Sequence, residues 1–291
     1  MPITIFRMIS ILLLFSIALT GCSSASKSPE VKTKEIVAVT IAPEKAFVQA
    51  VGGDFVEVIV LVPPGNSPGN YEPTPMEMEQ FAKASLYFTI GVATEQANIL
   101  PKAEESESLR IVSLQKEAAT VYPEREMSPG NRDPHIWLSP RRVRVMIDVI
   151  ERELSVLDPK NKDAFHSNAE VYRKALDTLD KEMTDTLKNV KSRQFIVFHP
   201  AFGYLADDYG LVMHALEEDG KEATPTRLAE MVDLAKKENI RAVFHQAEIS
   251  SAQAIAFAEE IDGKTILLEP LSPDYIANLR GMAQLMAEVM K

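Results

Sequence analysis

Residues 159–188 read PKNKDAFHSNAEVYRKALDTLDKEMTDTLK. After Pro159 the stretch has no glycine and no further proline. An apolar stripe runs through Phe165, Ala169, Tyr172, Leu176, Leu179, Met183 and Leu187 in steps of three and four. That spacing keeps one face of an α-helix apolar. At 1.5 Å of rise per residue such a helix would span roughly 45 Å, longer than most domain helices.

Working outward, four short apolar runs rich in β-branched residues precede this stretch: Ile36–Ile41, Val56–Val62, Leu86–Ile90 and Ile111–Leu114. Four more follow it: Phe195–Phe198, Leu211–Leu216, Arg241–Phe244 and Thr265–Leu268. Longer helical patterns separate them. The alternation reads as βαβ units and mostly parallel sheets, an α/β fold. We expect two α/β lobes, residues 34–158 and 191–291, joined by one rigid helix over 159–190. The other layout the pattern allows is a single sheet with a long crossover helix. Helix starts are marked where a capping side chain precedes proline: Thr74-Pro75, Ser139-Pro140, Asp158-Pro159, Thr224-Pro225 and Ser272-Pro273. Proline suits the first helical position because its missing N–H would have had no partner there. Thr74 with Glu77 also has the spacing of a capping box. The polar segment from Tyr122 to Pro134 reads as a loop.

The N-terminus has a different character. Arg7 is followed by an apolar run from Met8 to Leu19 and then by Thr20-Gly21-Cys22. A positive residue, a short apolar stretch and small residues before a cut site describe an export signal over residues 1–21. The run is short for a membrane-spanning helix, which needs roughly 20 apolar residues. Cys22 is the only cysteine. Its place after Leu-Thr-Gly resembles a lipobox, so we expect lipidation at Cys22, a tether over 22–33 and an extracytoplasmic, membrane-anchored chain. With Cys22 lipidated no disulfide can form, and about 270 residues are ample to fold on core burial alone. Removing residues 1–21 removes Arg7 and no acid, so the net charge moves from −11 to −12. That balance argues against nucleic acid and against a polybasic membrane patch.

Of five histidines, two have unusual surroundings. His135 lies in Asp133-Pro-His-Ile-Trp-Leu-Ser-Pro140, beside the only tryptophan. His199 directly follows the run Phe195–Phe198 and precedes Pro200, at the carboxyl end of an expected strand. Ligands gather at such ends in parallel α/β sheets. Glu269-Pro270 repeats the arrangement after Leu268, and His245 also ends a strand. His166 and His214 read as ordinary, His166 facing solvent. Imidazole with carboxylate suits zinc or manganese. Taken singly, a histidine at a strand end is more often a hydrogen-bonded core or surface group than a ligand. No H-E-x-x-H, paired-cysteine, G-x-S-x-G or glycine-rich phosphate motif is present.

Several segments together resemble the zinc/manganese-type solute-binding proteins of ABC transporters. They are Leu61-Val-Pro-Pro-Gly65 with Tyr71-Glu-Pro-Thr-Pro75, then Asp133–Pro140, then Phe198-His-Pro-Ala-Phe-Gly-Tyr-Leu205 with Tyr209-Gly-Leu211. Glu217–Pro225 and Leu268-Glu-Pro-Leu271 with Tyr275 follow in the same order. The resemblance covers nearly all of residues 34–291. It implies two lobes bridged by a long helix, a metal in the cleft, no catalysis, and docking on an ABC permease; we expect the chain to work as a monomer. Carried over residue by residue, it implies His135, His199 and Glu269 as metal ligands for Zn2+ or Mn2+. Two imidazoles put zinc slightly ahead. The chain departs from the pattern at Ser67-Pro-Gly-Asn-Tyr71, where the first histidine of the family is replaced by Gly69. Asn70, Glu72, Glu248 or water are the candidate substitutes; otherwise the metal is held by three protein ligands, or the site has changed ligand. Glu269 stands where aspartate is more usual, and Gln246 where glutamate is frequent. Two other classes compete with this reading. One is a metal-dependent hydrolase with Glu248 as base. The other is a surface lipoprotein of the same fold that has lost metal and serves as an adhesin or binds another ligand.

Overall fold

The computed structural model describes residues 34–217, 220–249 and 252–291. The expected signal, the tether and the lipidation site at Cys22 lie outside the described residues. Among the described residues no helix is long and apolar enough to cross a membrane.

Among the described residues, eight strands form two four-stranded sheets with every pairing in them parallel. The first sheet holds β1 (Glu35–Val39), β2 (Val56–Val60), β3 (Leu86–Thr89) and β4 (Arg110–Ser113) in the order β2-β1-β3-β4. A two-stranded hairpin, β5 (Glu126–Ser128) and β6 (Asn131–Arg132), follows it. The second sheet holds β7 (Gln194–Val197), β8 (Val212–Ala215), β9 (Ala242–His245) and β10 (Lys264–Leu267) in the order β10-β9-β7-β8. Each sheet strand coincides with an expected run to within two residues at either end. Two sheets, rather than one with a long crossover, settle the choice of layout. The hairpin is a correction to the loop expected over residues 122–134. It turns on Gly130, whose φ of 77° is open to a residue without a side chain.

Between the sheets runs the helix Lys162–Leu187, preceded by a 3₁₀ turn at Pro159–Asn161. Proline and a short polar run tighten the first turn, so the α-helix proper starts three residues later than expected. Phe165, Ala169, Leu176, Leu179, Met183 and Leu187 are buried on it. Arg173 is also buried, with Asp148 at 2.7 Å, Glu151 at 2.8 Å and Glu170 at 2.5 Å around its guanidinium. His166 is exposed, as expected, with its Nδ1 2.8 Å from Glu151. The long helix packs on helix Ala42–Gly52 from the first half and on helix Tyr275–Val289 from the second. Those two helices also touch each other, Phe47 and Tyr275 meeting edge to face at 4.8 Å. One continuous apolar core therefore runs through both halves, from Val37 in β1 to Phe244 in β9.

Thr74, Ser139 and Thr224 cap their helices as expected, each accepting from the backbone N–H three residues on. Asp158 makes no cap hydrogen bond. Ser272 makes none either: its Oγ accepts from Asp274 N at 3.3 Å in a turn, and the last helix begins at Tyr275.

At the carboxyl end of the first sheet two acids are fully buried, Glu44 and Glu95. Glu44 Oε2 accepts from Thr40 N and Ile41 N, both at 3.0 Å. Glu95 Oε1 accepts from Thr40 Oγ1 at 2.5 Å and from Ile90 N at 2.9 Å. Burial first, and the neighbouring Glu95 second, hold the Glu44 carboxyl well above its usual range. Burial also raises Glu95, against the pull of its hydrogen bonds and Arg132. A raised folded-state value gives stability that is present below the ordinary carboxylate range and is lost as pH rises through the raised value. Glu44→Gln keeps an acceptor for the two N–H groups and removes that cost. In urea unfolding its stability relative to the parent is expected to improve from pH 5 to pH 8. A pH-independent difference would contradict the raised value.

Candidate metal centre

His199 stands two residues beyond β7, and His135 stands at the entry to the 3₁₀ turn Ile136–Leu138. The fold brings their Nε2 atoms to 3.2 Å, with the rings 77° apart. Behind each ring sits a carboxylate. Asp133 Oδ1 lies 2.8 Å from His135 Nδ1, and both Glu217 oxygens lie 3.1 Å from His199 Nδ1. Asp133 is fully buried and also accepts from His135 N at 2.9 Å and from Arg125 Nη1 at 3.0 Å.

This arrangement fixes both tautomers. A carboxylate only accepts, so each neutral ring carries its proton on Nδ1 and presents a lone pair at Nε2. Two lone pairs at 3.2 Å repel unless a proton or a cation lies between them. Nitrogens at about 2.0–2.1 Å from a tetrahedral zinc ion sit about 3.3 Å from each other, close to the observed separation. Burial holds His135 below the usual imidazole value, with Asp133 pulling the other way. The neutral, ligand-competent form is therefore favoured at pH 7.

The pair opens onto a cavity of about 600 Å³ between the two sheets, lined by residues of both halves. Trp137 closes part of its wall. Its Nε1 donates to Pro270 O at 2.9 Å, and Tyr275 Oη donates to Trp137 O at 2.7 Å. Gly69 lines the same cavity, and among the described residues outside its chain neighbours the atom nearest to where its Cβ would be is Ser67 Oγ at 3.4 Å.

The remaining expected ligands fall differently. Glu269 is exposed and does not line the cavity. Its carbonyl accepts from Asn278 Nδ2 at 2.7 Å and Ser272 N at 3.2 Å, which ties down that turn with the carboxylate at the surface. Asn70 and Glu72 are exposed and do not line it either, whereas Glu248 does. Among the described residues no three His, Cys, Asp or Glu side chains stand together as a metal site would require. Asp133 and Glu217 were not singled out from sequence. Glu217 follows β8 by two residues, as His199 follows β7, so the strand-end signal was there to find it.

The model of the family described as "zinc-uptake complex component A periplasmic" matches residues 37–289. The chain belongs to this family. Among family relatives, a putative metal-binding protein of Chlamydia muridarum is 27% identical over 286 residues, covering 96% of this chain and 99% of the relative. The zinc-binding lipoprotein AdcA of Streptococcus pneumoniae is 30% identical over 278 residues, covering 89% of this chain and 54% of AdcA. A crystal structure of ZnuA matches with a TM-score of 0.84 at 34% identity, over 89% of this chain and 100% of that one. The expected family and its two-lobed α/β fold with a long connecting helix are thus both found.

Proposed function

We propose that this protein is an extracytoplasmic binding component that captures a divalent transition metal, zinc or manganese, and hands it to an ABC import permease. The convergence of His135 Nε2 and His199 Nε2 at 3.2 Å carries the proposal. Each imidazole is backed by a carboxylate, the arrangement that fixes the ring of a metal-bound histidine and raises its basicity. Membership in a zinc-uptake family and the zinc-binding relative support the same cargo. Nitrogen ligands put zinc ahead of manganese. The ion is cargo, and no reaction is performed on it. Cys22 would hold the chain to the membrane through a lipid, and the chain would work as a monomer.

On this reading the ion sits between the two Nε2 atoms. Glu269 would reach it only if the turn tied at residues 269–278 folds inward. Elemental analysis after zinc loading is the primary test, with one ion per chain expected. No bound ion at micromolar zinc would sink the proposal. Asp133→Asn and Glu217→Gln each remove the backing charge while keeping the shape. Each should weaken zinc about 10- to 100-fold, read by competition with a chromogenic chelator. Unchanged affinity in both variants would mean that the carboxylates do not orient ligands.

A further inference from the structure

Resting on the metal-capture reading, we propose that Arg125 is a positioning residue for the metal: placed by the helix that follows His199, it sets the Asp133 carboxylate that aims His135. The half that carries one imidazole thereby aligns the other.

Asp133 depends on Arg125 for its place. Its Oδ1 is occupied by His135 N at 2.9 Å and His135 Nδ1 at 2.8 Å. Its Oδ2 accepts from Arg125 Nη1 at 3.0 Å. The Asp133 side chain is fully buried, and among the described residues Arg125 and His135 are its only ion-pair partners. Leaving a buried carboxylate without its cation is strongly unfavourable, so Oδ2 follows the guanidinium.

Arg125 is in turn placed by the second half. Its backbone N donates to Tyr204 Oη at 3.0 Å, and its Nε lies 3.2 Å from Asp207 Oδ2. Both partners belong to the helix Gly203–Tyr209. Asp207 is 57% exposed, so that pair alone contributes little. The stronger constraint is steric. The guanidinium lies over Gly203, where a Cβ would come within 2.4 Å of Arg125 Cζ and Nη1. Gly203 is not among the glycines with positive φ, so its missing side chain makes room for the arginine rather than for a turn. It stands four residues beyond His199. A chain of contacts therefore runs from the His199 segment through Gly203, Arg125 and Asp133 to His135 Nδ1, while the two Nε2 atoms meet at 3.2 Å. A planar guanidinium suits this task, because its fork holds two carboxylates at fixed angles where an ammonium is a point charge. By charge alone, a cation beside the site repels the metal and its loss would tighten binding. Positioning predicts the opposite sign.

Zinc affinity is measured on the full chain in detergent, by competition with a chromogenic chelator, at a temperature where circular dichroism shows each variant folded. Arg125→Ala should weaken zinc about fivefold, less than the roughly 10- to 100-fold of losing a backing group itself. Gly203→Ala keeps every charge but evicts the guanidinium, and it should cost the same. The two together should cost no more than either, and Arg125→Ala added to Asp133→Asn should cost nothing further, since all act through one carboxylate. A lower melting temperature with unchanged affinity would make Arg125 a structural pin. Tighter zinc in Arg125→Ala, with Gly203→Ala unmoved, would make it a charge effect. Either result would overturn the positioning role and leave metal capture standing. The metal-free chain gives a second readout. The ring 15N signals of His135, assigned by their loss in His135→Ala, report the Nδ1–H tautomer and should move toward a mixture of tautomers in Arg125→Ala and Gly203→Ala. Unchanged ring signals in both variants would overturn the role of Arg125. No zinc bound by the parent chain would overturn both the capture reading and the positioning role.

Discussion

Replacing either histidine of the facing pair should abolish tight metal capture. In His135→Ala or His199→Ala, one of the two converging lone pairs disappears and the other imidazole remains alone against its carboxylate. Loss of a direct ligand should exceed the 10- to 100-fold typical of losing a backing group. We therefore expect zinc affinity to fall by more than about 100-fold, some 3 kcal/mol or more. The double variant should cost little beyond either single one, because a lone imidazole is no site. The informative contrast is Glu269→Ala. With its carboxylate exposed and its turn tied through Asn278, this variant should stay within a few-fold of the parent. A loss as large as that of the histidines would show that the turn folds inward around the ion. Competition titrations with a zinc-sensitive dye measure all four variants.

The largest effect on stability is expected at Trp137. The side chain is about 1% exposed, and its indole N–H reaches Pro270 O across the cleft. The Trp137 carbonyl in turn receives Tyr275 Oη from the last helix. Trp137→Ala would leave a cavity of indole size and an unpaired carbonyl at Pro270. Large-to-small changes of this kind cost about 3–5 kcal/mol, which for a chain of this size lowers the melting temperature by roughly 10 °C. Trp137→Phe keeps most of the volume and loses the hydrogen bond, so it should fall in between. A loss below about 1 kcal/mol in the alanine variant, by calorimetry, would mean that the halves do not depend on this junction.

The fold was legible because its signals are local and strong. Runs such as Phe195–Phe198 are short, β-branched or aromatic, and bounded by polar residues, so strand is their only economical reading. Thr74, Ser139 and Thr224 could be read as caps because the side chain and the proline act within one turn. Ser272-Pro273 carries the same two letters and fails, since Asp274 N claims the serine hydroxyl and holds the segment as a turn. The hairpin at 126–132 was illegible for the opposite reason: two and three residues are too few to show alternation. Glu44 and Glu95 also gave no warning. An acid within a helical pattern reads as solvent-facing, and only the packed end of the first sheet shows that it is buried.

The site was half legible. His135 and His199 stand out because proline neighbours and a strand end constrain their backbone. That the two rings face each other is a property of the packing between the halves, which no local pattern encodes. Glu217 and Asp133 act through the histidines rather than beside them in any motif, and so they passed unremarked. Glu269 follows its strand as His199 does, with its carbonyl tied to Asn278 and its side chain exposed.

The shared core has a consequence for how a transporter would tell full from empty. Phe47 packs against Tyr275 and the long helix against both of their helices, so the halves share one core. On the proposed function, the outline offered to a docking partner would then be nearly the same with and without cargo. Discrimination would be written on the rim, in segments such as 66–71 and 122–133 that border the cavity. The permease would read the texture of a doorway rather than the angle of a door.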